Sequence, residues 1–282
     1  MLVKDALRLA IQKLRDVSSS PSLDARVLLC KALSISLEEL ILSSDAEFPA
    51  DKLSIFWQYI ERKIQLEPIA YILGVQEFYG LDFLVNHHVL IPRPETEMII
   101  DLTINFLCDM QNIGSINILE LGTGSGIIPI CLAKHLPHNT TITATDISLD
   151  ALEIAHKNAL MHDVKNITFL QSDWFKNIKP QKFDIIISNP PYISKSEISL
   201  VSDSTHLYEP HLALYAQENG LENYRIIANK AAEYLNKDGK IILEIGYRQA
   251  EEVRKIFTAH GFHNISLIKD YSGHPRNLVI SG

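Results

Sequence analysis

No run in this 282-residue chain approaches the roughly 18 uninterrupted apolar side chains that a membrane-spanning helix needs. The start is not a signal peptide either, because Met1 to Val17 reads as an amphipathic helix with Lys4, Asp5, Arg8 and Asp16 inside its pattern. Cysteine is scarce: Cys30, Cys108 and Cys131 sit in apolar helical contexts without metal-ligand spacing, which points to buried, reduced thiols in a cytoplasmic protein. The 11 histidines, His87 and His88 among them, form no HxxxH set, so no metal is expected. Dense Lys/Arg runs are missing and the formal net charge is −8, which argues against broad electrostatic capture of nucleic acid. No stable nucleic-acid binding is expected. Apolar residues are plentiful at 46%, enough for a core in a chain long enough to hold one large domain and one small one.

One missing glycine changes the reading of the middle of the chain. Ile116 to Leu121 reads as a short buried strand that runs into Gly122-Thr123-Gly124-Ser125-Gly126 and an apolar helical stretch from Ile127 to Leu136. Such glycines permit a tight turn and let the backbone approach a ligand at the amino end of the helix. The dinucleotide fingerprint G-x-G-x-x-G would need a further glycine where the chain has Ile127, so a pyrophosphate ligand, and with it a nicotinamide oxidoreductase, is disfavoured. What remains is a loop for a nucleoside-like ligand without phosphates, preceded by Glu120, an acid that can attract a cation.

The next strand, Thr141 to Thr145, ends at Asp146, a carboxylate placed to accept both hydroxyls of a ribose. A helix from Ser148 to Leu160 and a third strand, Ile167 to Leu170, lead to Ser172-Asp173-Trp174-Phe175, where an acid and an aromatic fit the edge and face of an adenine. Taken singly, Asp146 is also a helix N-terminal acid, Asp173 a turn former and Trp174 a core residue. Their joint placement at the carboxyl ends of successive strands favours a ligand site, because open α/β sheets bind ligands there.

A fourth strand, Phe183 to Ser188, ends in Asn189-Pro190-Pro191-Tyr192. Two prolines fix φ and supply no N–H, so the turn cannot satisfy itself and its carbonyls are expected to stay available. Asn189 adds a side-chain carbonyl and Tyr192 a flat face. The group suits a planar NH2 nitrogen that must be held and aimed, although Asn-Pro and Pro-Pro are also ordinary strand breakers.

Around these motifs the chain divides in three. Residues 1–73 read as helices only, with Pro21 opening one and Ser36-x-x-Glu39 capping another. Residues 74–90 read as a hairpin linker, with Gln76 to Tyr79 and Leu81 to Val85 flanking Gly80. Residues 91–282 read as the α/β domain. It opens with Ile91-Pro92-Arg93-Pro94-Glu95-Thr96-Glu97, either a helix lead-in or a wall with Arg93 or Glu97 facing the ligand. Residues 193–219 lack clear periodicity and suit a flap that contacts substrate. Two successive strands near the end suggest a closing antiparallel hairpin.

Glu120-x-Gly122-x-Gly124-x-Gly126 with Asp146 and Asp173 resembles the class I S-adenosylmethionine-dependent methyltransferases. The resemblance implies an α/β, Rossmann-like, mostly parallel seven-stranded sheet with an antiparallel last strand. Over nearly its whole length, including the helical front, Gln76-Glu77-Phe78-Tyr79, the Ile91 to Glu97 segment and Ser188 to Ile193, the chain resembles the peptide chain release factor glutamine methyltransferases. That resemblance implies S-adenosyl-L-methionine as cofactor, with Gly122, Thr123, Gly124, Ser125 and Gly126 along its methionine and ribose parts and Asp146 on the ribose hydroxyls. Asp173 and Trp174 would hold the adenine, with Asn189 also near the cofactor. The substrate would be the glutamine of the Gly-Gly-Gln motif in class 1 release factors, held by Asn189, Pro190, Pro191 and Tyr192, with Asn189, Pro190 and Tyr192 catalytic. The helical front would recognise the protein substrate.

One departure is Gln217-Glu218-Asn219-Gly220-Leu221, where the family often has Gly-x-Asp-Gly-Leu. It puts the end of the flap in question. The alternatives are a nucleic-acid methyltransferase acting on an exocyclic amino group of adenine or guanine, which the same turn would hold, and a non-catalytic partner-binding protein.

Overall fold

The computed structural model describes residues 1–109 and 114–282. Five helices come first: α1 (Val3–Leu14), α2 (Pro21–Leu33), α3 (Leu37–Leu42), α4 (Ala50–Ile64) and α5 (Ile69–Leu73). A hairpin of β1 (Val75–Phe78) and β2 (Leu81–Leu84) precedes α6 (Glu97–Asp109), β3 (Ile116–Leu121), α7 (Ile127–His135), β4 (Thr140–Asp146), α8 (Leu149–Met161), β5 (Ile167–Gln171) and β6 (Phe183–Ser188). Short elements follow: β7 (Ile193–Ser194), α9 (Asp203–Tyr208), α10 (His211–Leu214), β8 (Tyr215–Ala216) and α11 (Gln217–Gly220). The chain closes with α12 (Glu222–Tyr234), β9 (Leu235–Glu244), α13 (Ala250–Ala259), β10 (Ile265–Lys269) and β11 (Pro275–Ser281).

The chain forms two compact units, Met1–Val75 with Ser202–Tyr208, and Gln76–Val201 with Glu209–Gly282. In the first, α1, α2 and α4 bury Ala10, Leu14, Leu28, Phe56 and Ile60 against one another. Local chemistry sets the helix starts: Pro21 stands at the first turn of α2, where its missing N–H costs nothing. At α3, Glu39 N donates to Ser36 Oγ and Ser36 N donates to Glu39 Oε2. The helix α9 belongs to this unit, and Tyr208 donates its hydroxyl to Gln65 O at 2.8 Å. So the stretch read as one flap is divided: residues 202–208 join the helical unit and 209–219 stay with the sheet. Short helices and the parallel pair β7–β8 replace the aperiodic loop.

The second unit is built on a seven-stranded sheet of order β10-β11-β9-β6-β3-β4-β5, in which β11 alone runs antiparallel to its neighbours β9 and β10. Both faces are covered. Ile185, Ile186 and Ile187 of β6 are fully buried, the continuous apolar run that a central parallel strand requires. Register aligns Leu121 with Thr145 and with Ser188, and Ser188 with Leu243, so the carboxyl ends of β3, β4, β6 and β9 reach the same edge. The chain leaves β3 towards β4 on one side and returns as β6 on the other. This reversal opens the crevice in which α/β sheets bind ligands.

Two local expectations are corrected. Only Cys131 is buried; Cys30 is half-buried, and Cys108 is exposed because α6 turns Leu107, not its neighbour, inward. The strand that the apolar run suggests over Lys240 to Ile245 is β9, which begins earlier, at Leu235, because Phe183 of β6 already pairs with Leu235 across a register shift.

Candidate active site

A cavity of about 490 Å³ lies along the carboxyl edge of the sheet within the second unit. Its first half is main chain. Gly122, Gly124 and Gly126 have φ of +77°, +55° and +80°, a region open to glycine and strained for other residues. This path turns the N–H groups of Gly122 and Thr123 onto Thr145 O at 2.8 Å each, stitching the loop to the tip of β4. A side chain on Gly126 would press on Ala155 of α8, so the third glycine serves helix packing.

Asp146 accepts from Gly124 N at 2.8 Å on one oxygen and from Ser148 N at 2.9 Å on the other. Burial still holds its carboxyl above the usual range, against the pull of those backbone donors. Each oxygen keeps a lone pair free, so two more donors, such as a vicinal diol, fit it and would relieve the desolvation. Glu120, one strand over, is buried and accepts from Thr123 Oγ1 at 2.5 Å. Burial pushes it up to about 8, the Thr123 bond pulling the other way and the Asp146 charge adding to the rise. A cationic ligand group is the natural complement to such an acid. These two acceptor carboxylates therefore fit S-adenosyl-L-methionine, which carries both a diol and positive charge.

Ser172, Asp173 and Trp174 line the same cavity. Ser172 Oγ donates to Trp174 O at 2.7 Å and accepts from Asn177 N at 3.0 Å, which holds Trp174 at φ +51°. The Asp173 carboxylate is paired with the exposed Lys176 ammonium at 2.5 Å, so what it offers a ligand competes with that lysine. Trp174 packs partly into the core beside Phe175.

The second half of the cavity is made of side chains. Asn189 and Pro191 form part of its wall, Pro190 is buried, and Tyr192 lies outside the lining. Two of the turn's carbonyls are not free as expected: Pro191 O accepts from Asn223 Nδ2 at 2.8 Å and Tyr192 O from Gln249 Nε2 at 2.9 Å. Among the described residues no donor reaches Pro190 O. Asn189 donates from Nδ2 to Thr96 Oγ1 at 3.2 Å, and Thr96 donates to Glu244 Oε2 at 2.7 Å. Tyr192 donates its hydroxyl to Glu244 Oε1 at 3.4 Å, and burial with the Glu244 charge raises its phenol far above the ordinary value. Glu244 is itself pushed up to about 7 by burial, with Thr96 and the Arg276 charge opposing.

Of the two residues singled out in the proline-rich segment, Arg93 lines the cavity and Glu97 does not. Arg93 donates to the buried Glu209 carboxylate at 2.6 Å, whose other oxygen accepts from Ile91 N at 3.0 Å. Glu97 instead accepts from Tyr79 N at 2.9 Å and fixes the hairpin turn. At the far end, Glu218, Asn219 and Gly220 are all left-handed, and a Cβ on Gly220 would collide with Tyr192 O. Gly220, which the Gln217 to Leu221 departure retains, is the position of that turn where packing leaves no room for a side chain. Thr96, Asn223, Glu244 and Gln249 escaped the sequence reading. The one signal for Glu244 was an acid closing the apolar run Ile241-Ile242-Leu243, as Glu120 closes Ile118-Leu119.

A family model described as "Methyltransferase small domain" matches residues 98–206, and one described as "PrmC N-terminal domain" matches residues 5–74. A Bifunctional methyltransferase of Rickettsia bellii is 44% identical over 287 residues, covering 93% of this chain and 51% of that protein. The chain thus spans about half the length of the curated relatives it matches at this level. The Release factor glutamine methyltransferase of Buchnera aphidicola is 36% identical over 279 residues, covering 99% of both chains. Among solved structures, a methyltransferase from Pyrococcus furiosus aligns with a TM-score of 0.54 at 20% identity, over 78% of this chain and 96% of that one. This agrees with a class I methyltransferase fold. Similarity at 36% identity over 99% of both chains, with family models matching residues 5–74 and 98–206, shows that the chain belongs to the release factor glutamine methyltransferase family.

Proposed function

We propose that the protein methylates the side-chain amide nitrogen of the glutamine in the Gly-Gly-Gln motif of class 1 peptide chain release factors, in the cytoplasm, using S-adenosyl-L-methionine. The observation that carries this reading is the Asn189 amide, anchored through its nitrogen on Thr96 at the cavity wall. Family membership and the fit of Asp146 and Glu120 to a charged nucleoside support it. The absence of any dense Lys/Arg run weighs against the nucleic-acid alternative.

An amide nitrogen is a weak nucleophile because its lone pair is delocalised into the carbonyl. Bound in this cavity, S-adenosyl-L-methionine supplies an electrophilic methyl group, the C–S bonding pair staying with sulfur. Asn189 Oδ1 and Pro190 O accept the two N–H bonds of the glutamine and aim the remaining lobe of the nitrogen at that methyl group. Positive charge develops on nitrogen as its lone pair forms the new C–N bond, and these acceptor dipoles stabilise it. Most of the acceleration comes from alignment. The proton leaves nitrogen after transfer, so no general base is assigned. Gly122 to Gly126 hold the methionine and ribose parts, Asp146 the diol, and Trp174 with Asp173 the adenine. Pro191 and Tyr192 stiffen the turn from behind through Asn223, Gln249 and Glu244. The helical unit recognises the protein substrate.

The deciding experiment is transfer of radiolabelled methyl from S-adenosyl-L-methionine to a purified class 1 release factor. The same factor with its Gly-Gly-Gln glutamine replaced, and ribosomal RNA, are run beside it. Label confined to the unmodified factor is the expected result. Label on RNA, or none on the factor, moves the nucleic-acid reading to first place.

A further inference from the structure

The oxygen and nitrogen of the Asn189 amide occupy similar space, and only one of two orientations presents the oxygen to a substrate N–H. The selecting element is a buried chain of three side chains. Asn189 Nδ2 lies 3.2 Å from Thr96 Oγ1, and Thr96 Oγ1 lies 2.7 Å from Glu244 Oε2. Thr96 is 2% exposed and Glu244 1%, so bulk water does not replace either partner. An ionised carboxylate only accepts, and a threonine hydroxyl carries one proton. Thr96 must therefore spend that proton on Glu244, which leaves only lone pairs facing Asn189. The amide nitrogen is driven towards Thr96 and the oxygen outward.

A neutral Glu244 undoes the selection. Its carboxylic O–H donates to Thr96, whose own proton is then free for Asn189 Oδ1, and the flipped amide becomes equally well paired. The geometry points to Thr96 and Glu244 as positioning residues whose donor–acceptor polarity, set by ionisation of Glu244, decides whether Asn189 offers oxygen or nitrogen to the substrate. This inference rests on the proposed role of Asn189 as acceptor for the glutamine amide.

The surroundings of Glu244 make its ionisation a working variable. From the turn after β6, Tyr192 donates to Oε1 at 3.4 Å, and from β11 the Arg276 charge favours the anion. Glu95, from the segment ahead of α6, opposes it, and Tyr224 of α12 donates to the Glu244 main-chain oxygen at 3.1 Å. Burial outweighs the Thr96 and Tyr192 hydrogen bonds and the Arg276 charge and pushes the Glu244 carboxyl up to about 7. Raising pH through that value ionises Glu244 and locks the productive orientation, so turnover rises with pH.

The test is steady-state methyl transfer to a release factor across about pH 5.5 to 9, with cofactor affinity and thermal midpoint measured for each protein. Thr96→Val keeps the shape and removes the hydroxyl. It is expected to lower kcat by about 10²-fold, with cofactor Kd within about threefold of the parent. Thr96→Ser restores the hydroxyl and is expected to recover most of that loss. Glu244→Gln is expected to lower kcat and flatten the rise near pH 7. If Glu244→Gln does not fold, the Val and Ser pair still decides. Parental kcat in Thr96→Val, or a folded Thr96→Ser as slow as Thr96→Val, overturns the relay. An Asn189→Ala protein with parental kcat would sink the acceptor reading itself, whatever the Thr96 variants do.

Discussion

The two halves of the cavity are built by different means. On the β3–β4 side the structure works with main chain: glycines at positive φ, backbone N–H groups, and one carboxylate at a strand tip held by donors no more than 22 residues away. On the β6–β9 side it works with side chains from distant segments. Asn189 reaches Thr96 across 93 residues, Thr96 reaches Glu244 across 148, and Gln249 reaches the Tyr192 carbonyl across 57. A ligand that only has to be held is served by backbone, whose geometry a few glycines specify. An acceptor amide such as the one proposed for Asn189 must be held in one of two near-isosteric orientations, and that takes polar groups that the fold brings together only when complete.

The difference can be broken from either side, and the larger effect is expected on the acceptor side. Asn189→Ala removes the oxygen that would hold the substrate N–H and leaves the glycine loop untouched. Turnover is expected to fall by about 10²- to 10³-fold, the cost of deleting one preorganised dipole at a site of developing charge. Cofactor affinity, by calorimetric titration, should stay near the parent value. Equal losses in turnover and affinity would mean that the two halves are not separable.

Asp146→Asn attacks the other half and should give the mirror-image result. An amide NH2 cannot accept from the Gly124 or Ser148 N–H groups that the carboxylate oxygens now satisfy, so the loop loses a tie, and the ribose diol proposed to bind there would lose a partner. Losing charge-assisted bonds of about 1.5–3 kcal/mol predicts cofactor binding weaker by roughly 10- to 100-fold. At saturating cofactor, kcat should change by less than about threefold. A kcat defect that persists at saturation would place Asp146 in the chemistry.

The same contrast explains what could be read from the sequence. The glycine loop and Asp146 were legible because each rests on local spacing, a strand, a glycine cluster and a helix in succession, whereas the seven-stranded sheet came from the family resemblance that those motifs carry. Asn189 was legible because two prolines announced it. Thr96 and Glu244 were not, since nothing local distinguishes the Thr96 hydroxyl from that of any helix lead-in, and their meeting depends on the order of β9 and β6 in the sheet. The same limit applies to the Pro191 and Tyr192 carbonyls. They were expected to be free, and their donors Asn223 and Gln249 lie beyond reach of a local pattern. Cys108 was misplaced for a simpler reason, because helical periodicity alone did not resolve which of two adjacent residues faces inward.

The smallest effect tests the charge of the cofactor half. Burial pushes Glu120 up to about 8, so in the ligand-free protein it keeps its proton at neutral pH, whereas in an unfolded chain it titrates near 4.5. Two consequences share one sign. The folded state binds the extra proton, so the contribution of Glu120 to stability is complete below the unfolded value and is lost as pH rises towards about 8. A positively charged ligand prefers the ionised form, so binding below that pH must expel the proton. Affinity for S-adenosyl-L-methionine should then rise by about fivefold between pH 7 and 8 and level off above. Calorimetry in buffers of different ionisation enthalpy should detect close to one proton released per ligand at neutral pH. In Glu120→Gln both the pH dependence and the proton release should vanish, with little change in kcat at saturation. Affinity that is flat across this range in the parent protein would mean that the ligand's positive charge lies away from Glu120, and that the cofactor half holds its ligand through Asp146 and the glycine loop alone.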